Sequence, residues 1–137
     1  LQSLYTSLGL ENEVTAFHHL ALSEEHFLEG KWDDSISNSR KFLECVLQEV
    51  ATAHSLHFKK APLPEKTYKW PVRVRDYLED EGLLEAKEKT TIAEVYGLLS
   101  QTGGHPYMAR NDQARLLRHL ALTFAQFVML RFQGSNK

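Results

Sequence analysis

Asp33-Asp-Ser-Ile-Ser-Asn-Ser-Arg-Lys-Phe-Leu-Glu-Cys-Val-Leu-Gln-Glu-Val-Ala-Thr-Ala-His-Ser55 carries the clearest periodicity in the chain. Ile36, Leu43, Val46, Leu47 and Val50 fall on one face at about 100° per residue, which predicts an amphipathic helix. Asp33, Asp34 or Ser35 can accept hydrogen bonds from the free amides of its first turn. Arg40 and Glu44 lie at the edge of the apolar face, four residues apart, where their side chains can meet. Cys45 lies mid-helix, opposite that face.

Working outward toward the N-terminus, a helix is expected from about Glu11 to Glu29. Val14, Phe17, Leu20, Ala21 and Leu28 can share its broad apolar side. Gly30 then supplies the left-handed residue that ends helices, and the short connection to Asp33 predicts antiparallel packing of the pair. Toward the C-terminus the pattern fails from Leu56 to Trp70. Pro62 and Pro64 forbid a continuous helix there, and Lys59, Lys60, Lys66 and Lys69 make a basic loop. Pro71 suits the first turn of a third helix running to about Glu81 and ending near Gly82. A fourth starts at about Leu84 or Thr91 and runs to Leu99, with Thr90-Thr91 and Glu94 resembling a capping box. Gly103 and Gly104 break the pattern, and Asn111 or Asp112 caps a fifth helix reaching about Phe132. In that last helix Ala114, Leu117, Ala121, Phe124 and Val128 form one face. Leu116, Leu120 and Phe127 form a second, and Leu122 and Met129 add a third. A helix apolar over so much of its circumference is central in the bundle or also buried against a partner. No segment alternates as a strand does. The expectation is all-α: an up-and-down bundle of four to five helices.

The 137 residues fit one domain, 1–137, and the start at Leu1 suggests a piece of a longer protein. With 16 basic and 18 acidic residues the net charge is −2, so a generally basic nucleic-acid binder is not indicated. A single cysteine gives no disulfide framework and no thiolate metal site, and fits a reducing, cytoplasmic compartment. No apolar run is long enough to span a membrane. Neither a Walker-type loop nor a Gly-x-Ser-x-Gly elbow occurs, and no cofactor or metal is implied.

Chemistry, if any, is expected at Gly97-Leu-Leu-Ser-Gln-Thr-Gly-Gly-His-Pro-Tyr107, where His105 sits in a Gly-rich turn and can act as acid or base near neutral pH. The alternative is a structural turn in which Gly103-Gly104 reverse the chain. His18, His19 and His26 are read as solvated helix-surface residues, and His54 and His57 as core-edge or capping residues. Two groups of cations could contact phosphate: Lys59 to Arg75 around the Pro-rich loop, and Arg110, Arg115 and Arg118 at the start of the last helix. Tyr68 and Trp70 beside lysines suit base stacking, although a buried aromatic anchor is the commoner use.

Two signatures, Trp32-x3-Ile36-x2-Ser39-Arg40-x2-Leu43-Glu44 and Leu99-Ser-Gln-Thr-Gly-Gly-His105, make the chain resemble the HEPN superfamily, especially the bundles of abortive-infection and toxin–antitoxin systems. The resemblance implies a dimerising helical bundle. Many members are metal-independent ribonucleases that use an arginine and a histidine with four to six residues between them. Placing His105 on the family histidine puts Ser100 where the arginine belongs, and no arginine in the chain precedes a histidine at that spacing. Serine cannot supply the fixed cation that a scissile phosphate needs. The resemblance thus implies a dimerisation or partner-binding domain of a prokaryotic protein, in phage defence, without nuclease activity. Two alternatives stand beside it. One is a ribonuclease in which Arg40 or Arg110 substitutes beside His105, with Arg115 as a further phosphate contact and Glu44 as a supporting polar group. The other is non-catalytic RNA binding through the lysine-rich loop.

Overall fold

The computed structural model describes residues 1–104 and 110–135, residues 101–104 as backbone alone. Among the described residues it is all-α: α1 (Gln2–Ser7), α2 (Glu13–Leu28), α3 (Trp32–His54), α4 (Glu65–Tyr68), α5 (Pro71–Asp80), α6 (Ala86–Gly104) and α7 (Asn111–Ser135), with a single π-helical turn at Ser55–Lys59. No strand occurs among these residues, and none of their helices is long and apolar enough to cross a membrane.

The bundle is built around α3, which packs against α2, α5, α6 and α7. Ile36, Leu43, Val46, Leu47 and Val50 are all buried, as the periodicity predicts, and Phe42 and Ala51 join them. Because helices cover α3 on several sides, its interior surface is wider than one stripe. Cys45 is therefore half-buried and packs against the core instead of facing away from it. Burial, followed by the charges of Glu49 and Glu44, pushes its thiol up to about 11, which keeps it an inert thiol near neutral pH.

The α2–α3 hairpin closes as expected. Gly30 at φ 75° follows the last turn of α2, with Gly30 N–H donating to Phe27 O and Lys31 N–H to His26 O, a Schellman closure. The buried side of α2 differs from expectation. Val14 is 86% and Leu28 77% exposed, while Ala16, Phe17, Leu20, Ser23 and Phe27 turn inward. Small hydroxyl side chains decide this. Ser23 Oγ meets Ser39 Oγ at 2.7 Å, and Ser35 Oγ donates to the Ser23 carbonyl at 2.7 Å, so the helices touch through satisfied polar groups that leave no room for leucine.

Three local features depart from the sequence reading. Tyr5 of α1, a helix that went unanticipated, is fully buried and donates its hydroxyl to the Glu11 carbonyl. The segment read as patternless contains the π turn and α4. Helix α6 starts at Ala86, close to the earlier of its two expected starts, where the Glu85 amide donates to Glu88 Oε1 at 2.8 Å; the capping box does not form, since Thr90 and Thr91 bond back to carbonyls of their own helix. It also continues through Gly103 and Gly104. Glycine disfavours a helix by only about 1 kcal/mol, and with Ile92, Val95 and Leu99 docked in the core no break is forced there.

Candidate protein-interaction interface

The structure divides the residues singled out for phosphate chemistry. Arg40 and Glu44 are half-buried on successive turns of α3. Ser100 is half-buried on α6, one turn beyond Tyr96, and His105 lies outside the described residues. Arg110 is exposed just before α7, with its amide donating to the Gln113 side chain. Arg115 lies over α2, its guanidinium 5.7 Å from the ring of Phe27, and Arg118 approaches Glu24 at 3.7 Å. The two cations thus fasten the start of α7 to α2.

Around Glu44 the fold gathers two residues that the motif reading passed over. Tyr96 donates its hydroxyl to Glu44 Oε2 at 2.8 Å, and the Arg75 guanidinium lies 4.8 Å from the Tyr96 ring centre. Burial, then Glu44, pushes the Tyr96 hydroxyl up to about 12, against the opposing charges of Arg40 and Arg75. Arg75 is only 6% exposed, and its buried Nη1 makes no hydrogen bond. Burial holds its pKa below the ordinary arginine range, with Tyr96, Asp76 and Glu44 working the other way. Periodicity carried the signal for both. Tyr96 stands four residues after Ile92, and Arg75 three before Leu78, on the inward faces of their helices. The space bounded by Glu44, Gln48, Arg75 and Tyr96 is about 10 Å3, enough at most for one water and too small for a phosphate group. The cluster fastens α3, α5 and α6 together.

Two of the four lysines at the Pro-rich loop are neutralised. Lys59 pairs with Glu81 at 2.8 Å and Lys69 with Glu65 at 2.8 Å. Lys66 and Arg73 have no ion pair among the described residues, and beside them Trp70 is 63% exposed, so it is not the buried anchor that its chemistry more often makes it. Proline at the first position of α5 sets the chain so that Val74 and Leu78 go inward and Trp70 stays outside. Of the histidines, His18 is exposed, but His19 approaches Asn38 Oδ1 at 3.3 Å and His26 is half-buried, its Nδ1 without a hydrogen bond and 3.7 Å from Glu29 Oε1, so the surface reading holds only for the first. His54 is buried at the core edge, with Nδ1 2.9 Å from the Tyr77 hydroxyl. No group of three His, Cys, Asp or Glu among the described residues is placed to hold a metal.

The broad apolar surface of α7 resolves into two faces. Ala114, Leu117, Ala121, Ala125, Val128, Met129 and Phe132 are buried in the core. A second row, Leu116, Leu120, Thr123, Phe127 and Leu130, is spaced by alternating fours and threes and runs along the outside. Leu116 is 57% and Leu130 47% exposed, Thr123 is exposed, and Leu120 and Phe127 are half-buried. Alternation of four and three is the spacing with which one helix meets another along a seam. On one flank stand His119, Gln126 and Gln133, all exposed and without fixed charge. On the other, Arg131 is held by Glu88 at 3.0 Å and by the Leu83 carbonyl, its guanidinium 4.7 Å from the Phe127 ring. At the C-terminal end the row opens into a cleft of about 400 Å3 bordered by Gly82, Leu83, Phe127 and Leu130.

No protein-family model, curated protein or solved structure matches the chain.

Proposed function

We propose that this is a helical association domain, HEPN-like and without nuclease activity, that pairs with a second copy of itself along the outer row of α7. The observation that carries the reading is the Leu116–Leu120–Thr123–Phe127–Leu130 row, exposed at Leu116, Thr123 and Leu130 and half-buried at Leu120 and Phe127, on a helix whose opposite face already fills the core. A solvent-facing helical surface is ordinarily polar, and a continuous apolar row is what an interface buries. The row is also self-complementary about Thr123. In an antiparallel pair Leu116 meets the partner's Leu130 and its cleft, Leu120 meets the partner's Phe127, and the small Thr123 sits on the two-fold axis. The flanking His119, Gln126 and Gln133 bring no like charges together when helix faces its own copy.

Sedimentation or light scattering over a range of concentrations tests this. A dimer is expected, and Leu116→Glu with Leu130→Glu should return a folded monomer. A wild-type monomer at high concentration would overturn the reading. The RNA-binding alternative draws support from Trp70, exposed between the unpaired Lys66 and Arg73. Its signature would be affinity for single-stranded RNA that falls steeply with salt and is lost in Trp70→Ala.

A further inference from the structure

A second region departs from regular helix more than any other described part of the molecule. The two described non-glycine residues with positive φ are Asn12 (56°) and Lys60 (56°); Lys60 lines one cleft, and Asn12 hydrogen-bonds Glu49 in its wall. The π turn at Ser55–Lys59 supplies another part of its wall. Left-handed non-glycine residues and π turns are both unfavourable locally, and both concentrate where a protein holds a ligand.

The cleft has a volume of about 370 Å3, within the range of small-molecule sites of about 300–1,000 Å3. One wall is the face of α3 continued through the π turn, carrying Glu49, Ala53 and Leu56. The other is the α1–α2 connection with Leu8 and Glu11, and Phe132 of α7 closes one side. The connection is pinned by the Tyr5 hydroxyl on the Glu11 carbonyl and by Asn12 Nδ2 donating to Glu49 Oε1 at 2.7 Å. Polarity is divided along the length. Glu11 and Glu49 stand at one end. Lys60, whose Nζ donates to the His57 carbonyl at 2.9 Å, stands at the other, eleven positions along the chain from Glu49. Thr52 lies one turn from Glu49, and its Oγ1 has no hydrogen-bond partner. Glu49 is only 4% exposed. Its pKa is raised, first by burial and then by the charge of Glu11, against hydrogen bonds from Asn12 and the Glu11 backbone. A cation at that end would relieve the penalty on its charged form.

We propose that the cleft binds a small amphipathic primary amine, its ammonium group held by Glu49 and Glu11 and its hydrocarbon body lying on Leu8, Leu56 and Phe132. The opposite charge of Lys60 fixes the orientation, because the ammonium is repelled from that end and drawn to the carboxylates. A carboxylate of the same length is repelled by Glu49 and Glu11, and the Lys60 ammonium toward which it would turn is already engaged by the His57 carbonyl.

The test uses the intact protein and three probes of equal chain length, n-hexylamine, 1-hexanol and hexanoate, at pH about 7.5, where a primary amine is protonated. Binding is read by calorimetry and by the NMR shifts of Leu8, Leu56 and Phe132. The amine should bind at least about tenfold more tightly than either analogue. Glu49→Gln should reduce it to the level of the alcohol. Leu56→Ala, a change at a half-exposed wall residue that leaves the core intact, should weaken amine and alcohol alike. Equal affinity for the three probes, shifts located away from the cleft, or an amine preference that survives Glu49→Gln would overturn the proposal. Should Glu49→Gln fail to fold, the ranking of probes on the wild type and on Leu56→Ala decides by itself.

Discussion

Tyr96 of α6 donates its hydroxyl to Glu44 of α3 at 2.8 Å, and this contact joins helices whose paired residues lie 52 positions apart. The ring beneath that hydroxyl also carries the Arg75 guanidinium of α5, so one phenol holds three helices through an acceptor and a cation. A polar cluster in that position specifies how the helices meet, since each group depends on the others for its partner.

Removing members of the cluster should therefore have graded effects. Tyr96→Phe deletes one hydrogen bond and should lower unfolding stability by about 1 kcal/mol. Glu44→Ala should lower it further, by about 2 kcal/mol, because the buried Arg75 then also loses one of the negative charges that favour its cationic form. Urea unfolding followed by circular dichroism measures both. Equal losses would show that the Arg75 charge gains nothing from Glu44.

How much of this was legible depends on what each residue answers to. The stripe of α3 and the Gly30 closure follow from local periodicity and from one residue's conformational freedom, and both appear in the structure as read. The inward face of α2 does not follow locally. Val14 and Leu28 fit the helical period as well as Ala16 and Ser23 do, and the choice is made by Ser35 and Ser39 on another helix. The same holds for Arg75 and Tyr96, whose places on inward faces were readable but whose meeting with Glu44 was not. Arg40 and Glu44 were read as neighbours at the edge of a face, and they lie there. Arg115 was grouped with them on charge alone, and charge says nothing about which helix a cation will cover.

Ser23 gives a second prediction. It is fully buried in the α2–α3 contact, between Ser35 and Ser39. Ser23→Leu, which would strengthen the apolar pattern of α2 on paper, should instead destabilise by about 1–3 kcal/mol through overpacking and loss of hydroxyl partners. Ser23→Ala should cost less than Ser23→Leu. Denaturant midpoints of the two variants decide, and a leucine variant at least as stable as wild type would contradict the close packing described.

The buried His54 gives the fold a pH dependence of defined sign. Burial lowers its pKa, with Lys59 and His57 pushing the same way and Glu81 opposing. A depressed histidine is harder to protonate in the folded state than in the unfolded one. Its contribution to stability is thus complete above the ordinary value of about 6.5 and is lost as pH falls through the lower folded value. His54→Gln, which keeps a group able to meet the Tyr77 hydroxyl, should flatten the fall in melting temperature below pH about 6.5. An unchanged slope would move the acid sensitivity to other groups.

The self-pairing proposed for α7 makes a prediction that does not depend on observing a dimer directly. A domain stabilised by a second copy melts at a temperature that rises with its own concentration, because association removes only folded chains from the unfolding equilibrium. The melting temperature of the wild type should climb between micromolar and near-millimolar protein, and that of Leu116→Glu/Leu130→Glu should not. At low concentration the two should converge, since Leu116 and Leu130 are each about half exposed and contribute little to the monomer core. Cysteine placed at Thr123 tests the register separately. In an antiparallel pair centred there, Thr123→Cys should form a disulfide-linked dimer under mild oxidation, whereas the wild-type Cys45, half-buried against the core, should not. Concentration-dependent melting without that cross-link would keep the association and reject its geometry. A melting temperature independent of concentration would reject the association itself.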